Sequence, residues 1–202
     1  METLDRFNQG AVKARLVHLP FGPGEQPGSA PERGDRDIER MIADSLKLSQ
    51  AATPGISPEG RADMERLARV ANSRAGGKSP EGWCYREVWG HLMASGYAKL
   101  TQTSIPDSHS AYARQFGEYL NVGNNAKRLG MQRLPIDNPY DAPKGAIVVV
   151  RPGTPGTAHP VAGDIAVAMG GGRFLNDGEM SYGGRANFPP GNRHVIGIYA
   201  PL

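Results

Sequence analysis

Side chains able to do covalent chemistry are scarce in this chain, and the scarcest is its single cysteine, Cys84. It lies in the stretch Ser79 to Ser95, SPEGWCYREVWGHLMAS. Ser79 followed by Pro80 and Glu81 is a helix-start signal, because a Ser cap accepts an orphan amide and Pro fits the first turn without a missing hydrogen bond. A start at Gly82 is the other candidate. Tyr85, Val88, Trp89 and Leu92 recur at three- and four-residue spacing, which predicts an apolar face with Cys84 in the first turn. Aligned peptide dipoles and unpaired amides at a helix start favour an anion, so the placement predicts a thiol that ionises easily and serves as a nucleophile. The competing reading is a small buried hydrophobe.

The elements that must position Cys84 follow from composition and pattern. A chain of 202 residues, 39% hydrophobic and 21% charged, suits one soluble domain of roughly 120 to 150 residues plus extensions. A net charge of +3 and a pI near 9.1 give a mildly basic surface compatible with cell wall, lipid headgroups or nucleic acid, an excess too small to choose among them. A nucleic-acid partner is not expected. One cysteine excludes an internal disulfide. No apolar run is long enough for a membrane span, and METLDRFNQG lacks the basic-then-apolar order of a signal peptide, which predicts synthesis in the cytoplasm and export, if any, by another route.

Residues 1–36 read as an extended or disordered arm, since FGPGEQPGSAPERGDR from Phe21 to Arg36 is dense in Gly, Pro and charge. Val12 to Leu19 could form an isolated strand or dock on a partner, with His18 a surface side chain. Asp37 to Gln50 (Ile38, Met41, Ile42, Leu46) and the segment opened by Ser57-Pro58-Glu59 (Met64, Leu67, Ala68, Ala71) predict packing helices. Leu100 to Ser108 is turn-rich. Ser110 to Leu120 predicts another amphipathic helix, near whose start His109 and Arg114 read as a solvated end, and Asn121 to Tyr140 reads as a connecting loop.

The C-terminal third switches to short β-branched runs. Gly145 to Val150 and Asp164 to Met169 read as strands, Gly170 to Gly172 as a hairpin turn, Arg173 to Asn176 as a third strand, and His194 to Tyr199 as a closing one. Helices over 37–120 followed by an antiparallel sheet over 143–202 predict an α+β domain spanning 37–202. No CxxC or HExxH cluster and no phosphate-binding glycine loop occurs, so neither metal nor cofactor is expected.

A cysteine at a helix start, followed by a meander of strands, resembles the papain-like cell-wall hydrolases, the NlpC-type peptidases and CHAP amidases. GWCYREV matches their nucleophile helix, PKGAIVVV resembles the strand before their catalytic His, and GDIAVAMGGGRFLN resembles their next hairpin. The likeness covers about Pro80 to Asp177. It implies a papain-like fold and cysteine amidase or endopeptidase chemistry on the peptide stem of peptidoglycan. Cys84 would attack the amide carbonyl, a His would relay the proton, and Asn176 would orient that His. The family's His position is Asp164 here. A carboxylate beside the thiol opposes a second negative charge and is a weak base near neutral pH.

His159, five residues earlier in GTAHPVAGD, is then the expected base, with Asp164 and Asn176 as its orienting partners. His194 is the second candidate. His91 lies about 10 Å further along the helix axis, too far for a proton relay. Three function classes result. The first is a peptidoglycan-cleaving cysteine hydrolase, of the sort made by phages or carried by contractile injection particles, with a protein partner on the N-terminal arm. The second is a pseudoenzyme of the same fold serving as a binding or assembly module. The third is a cysteine hydrolase or transferase acting on a cytoplasmic protein or lipid.

Overall fold

Helix α1, Pro58–Ala75, begins as its residue types require. The Ser57 hydroxyl oxygen accepts the Gly60 amide at 2.9 Å, and the same hydroxyl donates to the Leu202 carbonyl at 2.7 Å. Met64, Leu67, Ala68 and Ala71 are buried, as their spacing predicts. The computed structural model describes residues 55–98, 100, 101, 106 and 111–202. The expected arm 1–36 with His18, the expected Asp37–Gln50 helix, His109 and most of Leu100–Ser108 lie outside the described residues.

Helix α2, Cys84–Ser95, starts later than Ser79-Pro80-Glu81 predicts. Its cap residue, Trp83, offers no side-chain bond; instead the Asp177 carboxylate accepts the amides of Glu81 and Trp83 at 2.8 and 2.7 Å. Tertiary contacts hold the preceding residues out of the helix. The Lys78 carbonyl accepts the Glu179 amide at 2.8 Å, and a Cβ on Gly178 would lie 2.4 Å from the Pro80 nitrogen. The helix closes at Gly96, whose φ of 61° is the left-handed conformation that a C-terminal cap needs.

Helix α3, Ala113–Leu120, carries Phe116 into the core, its ring 5.8 Å from Tyr85 and 6.2 Å from Trp89. The apolar face of α2 is thereby covered. A short turn of helix, α4, spans Asn125–Arg128. The strands are β1 Met131–Arg133, β2 Ile147–Val150, β3 Asp164–Gly170, β4 Arg173–Leu175, β5 Glu179–Met180 and β6 Val195–Pro201.

These strands form one open antiparallel sheet of six, in the order β1-β6-β2-β3-β4-β5. β2 is buried throughout, which is why its sequence is a continuous apolar run rather than an alternating one. Helices followed by this sheet make the domain α+β. β1 lies inside the stretch expected to be a connecting loop. At three residues, between Gly130 and Leu134-Pro135, it is too short to show alternation, and its pairing with the C-terminal strand defines it. The triple glycine does make the β3–β4 turn, with φ of 79°, 62° and 79°.

α2 packs against α1 and β3. The chain enters β3 through Gly163, where φ is 67° and any Cβ would lie 2.3 Å from the Val150 carbonyl oxygen. This close approach sets Asp164 opposite Val150 at the end of β2 and turns its side chain towards the start of α2. No helix among the described residues is long and apolar enough to cross a membrane.

Candidate active site

The start of α2 meets the start of β3 at Cys84 and Asp164, whose side chains interact electrostatically. Cys84 is half-buried and Asp164 buried. The Asp164 carboxylate accepts the Ile165 amide at 2.9 Å and the Asn176 side-chain amide at 3.2 Å, both on Oδ1. Asn176 stands at the end of β4, where Gly178 folds back to donate its amide to Asn176 Oδ1 at 3.2 Å. The Asn176 side chain therefore donates towards the site. The acceptor oxygen expected to orient an imidazole accepts the Gly178 amide instead.

Electrostatics at this junction run opposite to the helix-start expectation. Burial, then the charge of the neighbouring Asp164, push the Cys84 thiol up to about 12, against weaker lowering by the nearby Ile165 and Tyr85 amides. Helix-end stabilisation acts within a turn and is worth about 1 kcal/mol, which a desolvated carboxylate in contact with sulfur outweighs. Asp164 is itself raised to about 6 by burial, its hydrogen bonds recovering only part of the desolvation cost. Both directions favour a protonated thiol beside Asp164 at neutral pH.

Two further side chains complete the cluster. Tyr182, fully buried, has its hydroxyl beside the Asp164 carboxyl, and burial with that charge pushes its pKa well up. The pair falls short of hydrogen-bond geometry, so the contact is electrostatic. His91, also buried, has Nε2 2.8 Å from the Asn176 carbonyl oxygen, and burial lowers its pKa. His91 thus stands behind Asn176. Its position two helical turns after Cys84 carries a signal, since residues seven apart share a helix face; nothing in the sequence around Tyr182 marks it.

The other histidines lie apart from this cluster. His159 is exposed, and its Nδ1 accepts the amides of Val161 and Ala162 at 3.2 and 3.0 Å while its ring lies 6.0 Å from that of Tyr112. The loop it organises is tied to α3 by the Arg114 amide, which donates to the Ala162 carbonyl at 2.8 Å. His194 has Nδ1 3.5 Å from the Thr154 hydroxyl and its ring 5.9 Å from Phe188. Among the described residues neither ring hydrogen-bonds to Cys84, Asp164 or Asn176.

No family model, curated relative or solved structure matches this chain. What the arrangement can do must therefore be argued from its own atoms. Among the described residues no group of three or more His, Cys, Asp or Glu side chains could hold a metal. Asp164 and Asn176 form a buried hydrogen-bonded pair, with the Tyr182 hydroxyl beside it and the half-buried Cys84 sulfur at its edge. Such a cluster can hold a thiol in one protonation state, or accept a hydrogen bond from a ligand seated at the helix start.

Proposed function

We propose that this chain is a papain-like domain of the NlpC/CHAP kind whose cleft grips the peptide stem of peptidoglycan without cutting it at neutral pH. The observation that carries this reading is the buried Asp164 carboxyl beside the Cys84 thiol, raising its pKa, at the position where the resemblance implies an imidazole. The cysteine at the first residue of α2, packed against an antiparallel sheet, supports the scaffold. Amide cleavage needs a thiolate and then an acid for the amine leaving group. With the thiol pushed up to about 12, the thiolate is a minor species at pH 7.

The test incubates the full chain with purified peptidoglycan, assaying co-sedimentation and the mass of released fragments. The expected result is sedimentation of wild-type protein with the wall and no fragments. Asp164→His, which restores an imidazole beside the sulfur, should release fragments in a way that Cys84→Ala abolishes. Absence of binding, or cleavage by the wild type, contradicts the reading.

A second reading, an active hydrolase with His159 as base, draws on one observation: His159 is exposed on the loop that leads directly into Asp164. Because Nδ1 accepts two amides, the neutral ring carries its proton on Nε2. To take a proton from Cys84, the loop must release Val161 and Ala162. Under this reading the wild type cleaves the wall and His159→Ala lowers the rate by several orders of magnitude. On either reading the ligand is a peptide stem, and residues 1–36 are the segment for a protein partner such as a carrier particle.

A further inference from the structure

Among the described residues His91 is the one buried histidine, at 1% exposure. It shares a face of α2 with Cys84, because seven residues make two helical turns, about 10 Å along the axis. Cys84 stands beside Asp164 at the start of β3, and His91 stands against Asn176, one residue beyond the last position of β4 paired with β3. Asp164 and Asn176 are themselves joined by the 3.2 Å bond from the side-chain amide to the carboxylate. One helix face therefore meets both members of a hydrogen-bonded pair carried by two neighbouring strands.

The direction of each bond follows from the groups that make it. A carbonyl oxygen only accepts, so His91 Nε2 carries the ring proton and donates to the Asn176 carbonyl at 2.8 Å. Burial lowers the imidazole below its ordinary value, so the ring is neutral at neutral pH and Nδ1 is a bare lone pair. The Gly178 amide occupies Asn176 Oδ1, which turns the NH₂ end towards Asp164. Asp177 and Glu179 tie this turn to the chain before α2, and His91 ties it to the helix itself. At 3.2 Å the bond from Asn176 to Asp164 is already at the long end of the normal range, so a displacement of about 0.3 Å would break it. A side chain that only filled this volume would be apolar, since a buried imidazole bears a desolvation cost that one hydrogen bond offsets in part.

We propose that His91 is a positioning residue for the Cys84 and Asp164 site: from the helix that carries the thiol, it holds the Asn176 backbone so that the Asn176 side-chain amide stays aimed at the Asp164 carboxylate. The assignment rests on the site used in the proposed function but not on its wall ligand. Its test uses no peptidoglycan, so either can fail alone.

The test follows the Asp164 carboxyl carbon by NMR through a pH titration of the isotope-labelled full chain. Among the described residues, Cys84 and Tyr182 are the titratable groups that face Asp164, and Arg74 and Glu87 are the charged groups that face His91; all four stay in place in every variant. Wild type should titrate at about 6. His91→Met, which fills the site without donating, should raise the midpoint by at least about half a pH unit, because a carboxylate that loses a donor is harder to ionise. His91→Gln, whose amide can donate from the place of Nε2, should keep the midpoint within about 0.2 pH units of wild type. Gln also removes any imidazolium charge, so a midpoint that it preserves reports the hydrogen bond rather than the charge. Asn176→Ala should raise the midpoint by itself, and adding His91→Met to it should raise it no further. Should His91→Met fail to fold, His91→Asn, whose amide lies at the place of Nδ1, takes its part. A wild-type midpoint in the variant that lacks the donor, a shift in His91→Gln as large as in that variant, or full additivity with Asn176→Ala would overturn the proposal.

Discussion

The loop from Arg151 to Gly163 and the first residue of β3 are neighbours in the chain and opposites in environment. In the loop, His159 is exposed and its Nδ1 is occupied by the amides of its own turn. One residue past Gly163, Asp164 is 5% exposed, and its carboxylate accepts from Ile165 and Asn176 beside Cys84. The same short stretch thus holds a solvated histidine and a desolvated acid. Burial, rather than distance along the sequence, decides which of them governs the thiol.

Gly163 separates these regions, and replacing it should produce the largest change. In Gly163→Ala a Cβ must clear the Val150 carbonyl oxygen, 2.3 Å away, at a φ of 67°. Expected is a loss of roughly 3 kcal/mol or more in chemical denaturation. A variant as stable as wild type would mean that the turn into β3 is not held as tightly as this contact requires.

Asp164 makes a pH-dependent contribution of known sign. Its folded pKa, about 6, lies above the ordinary 3.8, so the folded state holds this proton more tightly than the unfolded chain. Stability from this group is full below about pH 4 and falls as the pH rises through 6, by on the order of 3 kcal/mol. Asp164→Asn, which keeps an acceptor for Ile165, should lack that fall. Melting curves of both proteins between pH 4 and 7 check it, and parallel pH dependences would contradict the buried-acid account.

His159→Ala should have the smallest effect, below about 1 kcal/mol, because it removes only two exposed-loop hydrogen bonds. A larger loss in thermal melting would show that the loop supports the site more than its exposure suggests.

Much of this architecture was legible because the pattern and the packing agree. Ser57-Pro58 caps α1, and IVVV is a strand buried on all sides, as a continuous apolar run should be. Legibility failed where distant chain segments supply the decisive partner. β1 exists through its pairing with β6, and the start of α2 is fixed by the Asp177 carboxylate and Gly178. At the site, residue identities pointed to Cys84, Asp164 and Asn176 but misjudged the thiol. A helix-start argument counts local dipoles; it has no access to the depth of burial or to a carboxylate that lies 80 residues further along the chain.

The central claim is that burial and the Asp164 carboxylate together keep Cys84 protonated at neutral pH, and the most direct test is the pH dependence of its alkylation by iodoacetamide in the native protein. The account predicts, at pH 8.5, a rate at least about a hundredfold below that of an unperturbed cysteine peptide. It also predicts that Asp164→Asn moves the profile down by one or more pH units. A wild-type inflection at or below the ordinary thiol value, or a profile that Asp164→Asn leaves in place, would contradict it.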